Sequence, residues 1–384
     1  MSLPTISLLP AKERSVLRRH PWVFSGALAQ HKISAHEWAH LCDHNKQVIA
    51  TGYTDTGSIA FKVLAFEKAN PEEVIREKLQ AALKRREELS ANAAAHTDIR
   101  RLCFAEGDGI PGLIIDGYGQ NAIIQLYASA LIQFLDLIAE VLRRAGFHAV
   151  YVKGNKSLHD TKFEDRYLFG SREEEVFYEN GIPFKVDWET GQKTGFFIDQ
   201  RENRQWLGAS SLNKSVLNVY AYTGGFSAYA LEGGAKRVVS LDRSSKAMEM
   251  CEQNMVMISN AARHESVTED ALTYLKGLKE DFDIIVLDPP AFAKSPKARH
   301  RAVQAYKRIN LLAMKRLAPG GQLFTFSCSQ HIDRELFQST IRAAAIEAKR
   351  ELRIIRHLQQ AADHPISIHH PEGEYLKGLQ LQVD

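Results

Sequence analysis

Ile284-Ile-Val-Leu-Asp288-Pro289-Pro290-Ala291-Phe292 is the stretch that decides how this chain folds. Its first four residues are apolar and three of them are β-branched, the composition of a strand buried on both faces. The strand runs into Asp288 and then into two prolines. These lack N–H donors and fix φ, so the strand ends there and the chain beyond it is stiff. An acid is thereby held at the carboxyl end of a buried strand, which is where ligands bind in an open α/β sheet. A plain strand end fits the same letters, so the neighbouring segments decide.

Upstream, Val216 to Ser227 reads VLNVYAYTGGFS: a β-rich run, the pair Gly224-Gly225, then a helix from about Ser227. This is the strand–turn–helix unit of nucleotide-type folds, without the full GxGxxG spacing and without the GK[ST] of a triphosphate site. A second strand, Arg237 to Leu241, ends at Asp242, 18 residues beyond Gly224, where an acid can accept hydrogen bonds from ribose hydroxyls. A third, near Glu265 to Val267, precedes Asp270, which can also be read as a helix cap. Downstream, a helix from about His300 to Arg316 and a turn at Pro319-Gly320-Gly321 lead to a fifth strand, Gln322 to Phe326, that ends in Ser327-Cys328-Ser329. Adjacent strand ends face one crevice, so Cys328 and Asp288 can converge. A buried filler role is the alternative for a strand-end cysteine. The ordered series of glycine turn, ribose acid, third-strand acid and Asp-Pro-Pro points to S-adenosylmethionine rather than NAD.

From about Ile182 onward strands and helices alternate, as in a doubly wound sheet. Gly191-Gln-Lys193-Thr-Gly-Phe-Phe-Ile198 is a glycine-flanked loop, and Asp199 is placed to cap the helix after it. Before this lies a mixed α+β region. Pro71 to about Ala95 reads as a helix, with Pro71 at its first position and Glu72 and Glu73 at its positive end. Strands are expected at Arg100–Ala105, Gly112–Asp116, Ala122–Tyr127, Val150–Lys153 and Glu175–Glu179, with a helix over Leu131–Ala145 and a hairpin turn at Glu179-Asn180-Gly181. Residues 1 to about 70 look β-rich, with strands at Thr5–Leu9, Val48–Tyr53 and Ile59–Leu64. There, Lys12, Arg14, Arg18, Arg19 and His20 precede Trp22 and Phe24, a basic cluster beside aromatics that can hold phosphates and stack on bases. Solvation of a short helix, with the aromatics turned inward, is the alternative. The expected architecture is therefore α/β: a small β-rich domain over 1–70, a central α+β domain over 71–185 and a Rossmann-like doubly wound domain over 186–384.

The 384 residues carry a formal charge of +3, 45% hydrophobic and 25% charged residues, which suits two or three globular domains. No apolar run reaches membrane-spanning length. The four cysteines, Cys42, Cys103, Cys251 and Cys328, form no CxxC pair, so neither a metal site nor a disulfide framework is expected and a cytoplasmic setting is.

The motifs YTGGFS, LDPPAFAKS, FSCSQ and GQKTGFFIDQREN resemble those of the bacterial ribosomal RNA cytosine-C5 methyltransferases with an N-terminal PUA domain, above all enzymes acting on 23S rRNA. The likeness extends to EGDGIPGLIIDGYG and to the closing HHPEGEYLKG, His369 to Gly378, and so covers essentially the whole chain. It implies a PUA domain, a central domain and a Rossmann-like methyltransferase domain. It also implies S-adenosylmethionine as methyl donor, and 23S rRNA or a large-subunit precursor as partner, with a homodimer left open. Cys328 matches the family's nucleophile, which adds to C6 of the base so that C5 can take the methyl group. Asp288 would bond the polar edge of the base, held in place by Pro289 and Pro290. The cofactor would meet Tyr222, Gly224, Gly225, Asp288 and Pro289, with Asp242 on ribose, Asp270 near adenine and Lys193 in the loop closing over it. Lys12, Arg14, Arg18, Arg19 and Trp22 would meet RNA. Ala291 departs from the pattern, since many such enzymes carry a second cysteine there to help release product. Uracil-C5 enzymes likewise use only the later cysteine, so the base and its proton acceptor stay open. Guanine methylation without an adduct, methylation of a small molecule, and a non-catalytic assembly factor are the competing readings.

Overall fold

A computed structural model describes residues 3–91, 96–158, 161–293 and 295–384. The chain forms two compact units. One comprises Met1–Phe177, Asp187–Gly195 and Ala362–Gly373; the other comprises Tyr178–Val186, Phe196–Ala361 and Glu374–Asp384. Among the described residues no helix is long and apolar enough to cross a membrane.

The first unit holds two five-stranded sheets. Strands β1 (Thr5–Ser7), β2 (Trp22–Phe24), β3 (Trp38–Cys42), β4 (Val48–Thr54) and β5 (Ile59–Ala65), with the short helix α1 (Arg14–Leu17), make the first, in the order β1-β3-β4-β5-β2. Ile6, Val23, Leu41 and Phe61 share its core. Helix α2 (Pro71–Ala91) begins at its proline with Glu72 and Glu73 in the first turn, as expected; the stretch 92–95 of the expected helix lies outside the described residues. The second sheet runs β10-β9-β8-β7-β6 and is built from β6 (Ile99–Phe104), β7 (Leu113–Tyr118), β8 (Asn121–Leu126), β9 (Ala149–Lys153) and β10 (Arg166–Phe169). Strands β8 and β9 are parallel, and α3 (Leu135–Arg144) is the crossover between them. Strands β11 (Val176–Glu179) and β12 (Ile182–Lys185) then pair as a hairpin. Its turn residues Asn180 and Gly181 have φ of 53° and 80°, the two left-handed positions that an Asn-Gly turn supplies.

The second unit carries a seven-stranded sheet. Its elements, in chain order, are α4 (Arg201–Ser210), β13 (Ser215–Val219), α5 (Gly225–Glu232), β14 (Arg237–Asp242), α6 (Ser245–Met255), β15 (His264–Thr268), α7 (Ala271–Gly277), β16 (Phe282–Leu287), α8 (Arg299–Met314), β17 (Leu317–Ser327), α9 (Arg334–Ala348), β18 (Leu352–Gln359) and β19 (Lys377–Val383). The strand order is β15-β14-β13-β16-β17-β19-β18; β19 runs antiparallel to both its neighbours and the other pairs are parallel. Strands β13, β14 and β16, and β17 from Leu323 onward, are buried almost throughout, which is why they read as mainly apolar runs. The order reverses at β13, whose neighbours are β14 and β16, and this makes a crevice at their carboxyl ends.

Two local expectations are corrected. Asp199 does not cap the helix: residues Ile198–Gln200 form a 3₁₀ turn, and α4 starts from Gln200 with no side-chain cap bond. The carboxylate of Asp199 instead accepts the hydroxyl of Tyr375. Pro319-Gly320-Gly321 is no free turn but lies inside β17, as a bulge between the pairings Phe282↔Leu317 and Ile284↔Gln322.

Candidate active site

The turn after β13 is built from left-handed backbone, with φ of 64° at Tyr220, 49° at Tyr222 and 84° at Gly224. Such conformations are costly for residues with a Cβ and need bracing. Asp242, at the end of β14, supplies it: Oδ2 accepts the Tyr222 N–H at 3.1 Å and Oδ1 accepts the Ser244 N–H at 3.0 Å. Asn254 adds a second brace, donating to the Thr223 carbonyl at 2.9 Å and accepting the Lys185 N–H at 2.8 Å. Gly224 is the N-cap of α5, and a Cβ there would stand 2.6 Å from Cys251 Sγ. Beneath Gly225 lies Arg204, buried and held by Glu179 through Nε–Oε1 at 2.8 Å and Nη2–Oε2 at 2.6 Å, with the Tyr229 hydroxyl on the same carboxylate at 2.9 Å.

Asp270 caps α7, accepting the Leu272 and Thr273 N–H groups at 3.1 Å each through Oδ1. Burial, with Asp270 and Asp242 close by, pushes the Tyr220 hydroxyl up to about 12, so both acids bear on one ring beside the glycine turn. The N–H groups of the first turn of α5 have no partner within the helix and present positive potential to the crevice.

The ends of β16 and β17 meet as the sequence implies. The Asp288 N–H reaches the Val219 carbonyl at 3.5 Å, which ties the acid to the end of β13. Cys328 Sγ lies 3.9 Å from the carbonyl of Pro289. Cys328 is partly exposed, whereas Cys42, Cys103 and Cys251 are buried. The chain beyond Cys328 is fixed by Ser329, whose Oγ accepts the Ala293 N–H at 3.2 Å and lies 3.0 Å from the Tyr306 hydroxyl. Lys377, the first residue of β19, donates to the Ser329 carbonyl at 2.8 Å.

The remaining candidate residues belong to the first unit. Lys193 is exposed, in a loop whose carbonyls at Trp188 and Gly191 are held by the buried Lys153 at 2.5 and 3.2 Å. The GQKTGFFIDQ motif thus straddles the boundary between units, at Gly195. Lys12, Arg14, Arg18 and Arg19 are all exposed. Trp22 is half-buried: its indole N–H donates to Glu106 at 2.9 Å and its ring meets His370 at 4.4 Å. Phe24 is the exposed aromatic. Sequence reasoning missed Arg204, Asn254 and Lys377. Only Lys377 left a trace, as a lysine in an otherwise apolar strand face.

The donor set at the crevice combines a glycine turn at a helix N-terminus with carboxylates at three strand ends. It fits a ligand that carries ribose hydroxyls and an amino-acid group, as S-adenosylmethionine does. Comparisons with known proteins agree. Residues 162–366 match the family model of S-adenosylmethionine-dependent methyltransferases, and residues 6–66 match a PUA-like domain. The chain is 36% identical to ribosomal RNA large subunit methyltransferase I of Aeromonas salmonicida, over 98% of this chain and 99% of that one. It is 38% identical to the protein of the same name from Tolumonas auensis, over 99% of each. A solved structure of a putative methyltransferase complexed with SAH superposes with a TM-score of 0.86 at 22% identity, over the full length of both chains, which shows a shared fold.

Proposed function

Because the chain belongs to the S-adenosylmethionine-dependent family of ribosomal RNA large subunit methyltransferase I, with a PUA-like domain at its start, we propose that it methylates C5 of a cytidine in 23S rRNA through a covalent cysteine adduct. The observation that carries this reading is the approach of Cys328 to the Asp-Pro-Pro segment, with Sγ 3.9 Å from the Pro289 carbonyl at the ends of adjacent strands. A nitrogen-directed methyl transfer has no use for a thiol there; a poorly nucleophilic ring carbon does.

S-adenosylmethionine, when bound, supplies a methyl group on a positively charged sulfur. The chain's own residues prepare the acceptor. Cys328, as thiolate, forms a bond to C6 of the pyrimidine and leaves an electron pair on C5 as an enamine. After C5 has taken the methyl group, its proton departs to a base and the electron pair expels the thiolate from C6, which restores the aromatic ring. Asp288 bonds the polar edge of the base and stabilises the adduct, with its position set by Pro289 and Pro290. Tyr222, Gly224 and Gly225 would line the cofactor with backbone, Asp242, Asp270 and Pro289 would complete its site, and Lys193 would be a further contact. A target in a paired region has to be flipped out of the stack first. Lys12, Arg14, Arg18 and Arg19 hold the RNA backbone, with Trp22 beside them.

The test is nucleoside mass spectrometry of 23S rRNA treated with the protein and isotopically labelled S-adenosylmethionine. Label in 5-methylcytidine is the expected result. Label in a methylated guanosine or uridine, or in no nucleoside of free rRNA or of the precursor particle, refutes the proposal.

A further inference from the structure

The face of β19 that packs into the core carries Leu379, Leu381 and Val383, which belong to one hydrophobic cluster of the second unit. Lys377 stands at the next position of that face, because alternate residues of a strand point the same way. It is only 3% exposed. A buried lysine is costly unless its charge is matched. Nζ donates to the carbonyls of Ser329 at 2.8 Å and Tyr375 at 2.7 Å, and among the described residues it forms no ion pair with a carboxylate. Glu374 and Asp333 face it at longer range but are engaged by Arg334 and Arg299, at 3.2 and 3.5 Å. Cys328 is a further group that acts to keep this lysine charged. Ser329, whose carbonyl Lys377 holds, is the next residue in the chain, and Ser327, the one before, pairs with Lys377 across β17 and β19.

We infer that Lys377 is a positioning residue for Cys328: its buried ammonium holds the Ser329 carbonyl on one side of the cysteine, its backbone pairs with Ser327 on the other, and its charge favours the thiolate over the thiol. Two of the three ammonium donors are taken by carbonyls, so one remains. Burial lowers Lys377 to about 8, and Cys328, Glu374 and Asp333 act to keep it charged while Arg334 acts against. A cation held beside a thiol favours the thiolate on general electrostatic grounds. The titratable groups on the elements beside Cys328 include Tyr306, whose hydroxyl burial keeps protonated so that it adds no charge at neutral pH, and Asp288 at the end of the neighbouring strand, whose negative charge acts against the thiolate. This inference rests on the proposed nucleophilic role of Cys328.

The experiment is the pH dependence of Cys328 alkylation by iodoacetamide in the full chain, followed by peptide mass spectrometry, for wild type, Lys377→Arg, Lys377→Gln and Lys377→Met. The three other cysteines are buried and serve as internal controls for folding. The uncharged variants should raise the midpoint by about one pH unit, which slows alkylation near pH 7 about ten-fold, while Lys377→Arg stays near wild type. An unchanged midpoint in Lys377→Gln and Lys377→Met overturns the inference. So does an equal shift in all three variants, which marks a role in folding alone. The methylation activity of Cys328→Ala is measured separately. If that variant is active, the nucleophile assignment falls, whatever the alkylation profiles show.

Discussion

Replacing Gly224 by alanine tests the turn that the whole crevice is built on. The residue sits at φ 84°, and an added Cβ would meet Cys251 Sγ at 2.6 Å and Met255 Cε at 2.9 Å. The left-handed backbone costs an L-residue about 1–2 kcal/mol, and forcing a methyl group against a packed helix costs about 1–3 kcal/mol more. Gly224→Ala should therefore lose about 2–5 kcal/mol in urea unfolding and weaken S-adenosylmethionine binding at least ten-fold by titration calorimetry. Gly225→Ala is the matched control. Its backbone is ordinary, and its Cβ would meet Arg204 Cδ at 3.2 Å and Phe196 Cζ at 3.5 Å, so a loss of under about 1 kcal/mol is expected. Adding Cys251→Ala to Gly224→Ala removes the closest clash and should restore about 1 kcal/mol, but not the backbone term. Equal losses at Gly224 and Gly225, or no rescue by Cys251→Ala, would refute this account of the turn.

Three further outcomes are expected. Burial pushes His264 down to about 4, so the unfolded chain takes up a proton near pH 6.5 before the folded one does. Its contribution is therefore intact above pH 6.5 and is lost as pH falls towards 4, by about 2 kcal/mol at pH 5; urea unfolding of His264→Gln at pH 7 and pH 5 should show a correspondingly flatter acid limb. Arg204→Met leaves the buried Glu179 carboxylate without its bidentate partner and should cost about 3–5 kcal/mol, largely recovered in the double variant with Glu179→Gln, as read by thermal unfolding. Replacing the exposed Arg18 and Arg19 by alanine should reduce the salt dependence of rRNA binding by about one to two units of log–log slope and leave free cofactor binding unchanged; an unaltered slope removes them from the RNA footprint.

Much of the second unit was legible because its central strands are buried on both faces. Val216–Val219, Arg237–Asp242 and Ile284–Leu287 announce themselves as apolar runs, and acids or glycines mark their ends. From there the placement of Cys328 beside the Asp-Pro-Pro segment followed from sheet geometry alone. What escaped notice depended on partners far away in the chain. Asp199 looks like a helix cap, yet its carboxylate is taken by Tyr375, 176 positions on. Trp22 looks like a stacking platform, yet its indole is tied to Glu106, 84 positions on. Strands β2, β3, β10, β12, β18 and β19 also passed unread. Strand β18 is an edge strand with Ile354 and Ile355 both exposed, so no alternation betrays it, and β19 opens on a buried lysine where the pattern calls for an apolar residue. The expected helix over Leu131–Ala145 was right in place but begins as a 3₁₀ turn over Ser129–Phe134.

The central claim is the bond between Cys328 and C6 of the target base. It is tested most directly with target RNA that carries 5-fluorocytidine, incubated with the protein and S-adenosylmethionine. Fluorine cannot leave C5 as a proton does, so the methylated adduct has no route to expel the thiolate. The expected result is a denaturation-resistant protein–RNA complex whose nuclease and protease digestion yields a nucleotide on the Cys328 peptide, absent from Cys328→Ala. Methylation of the unmodified RNA by Cys328→Ala, or a nucleotide attached to a different residue, would contradict it.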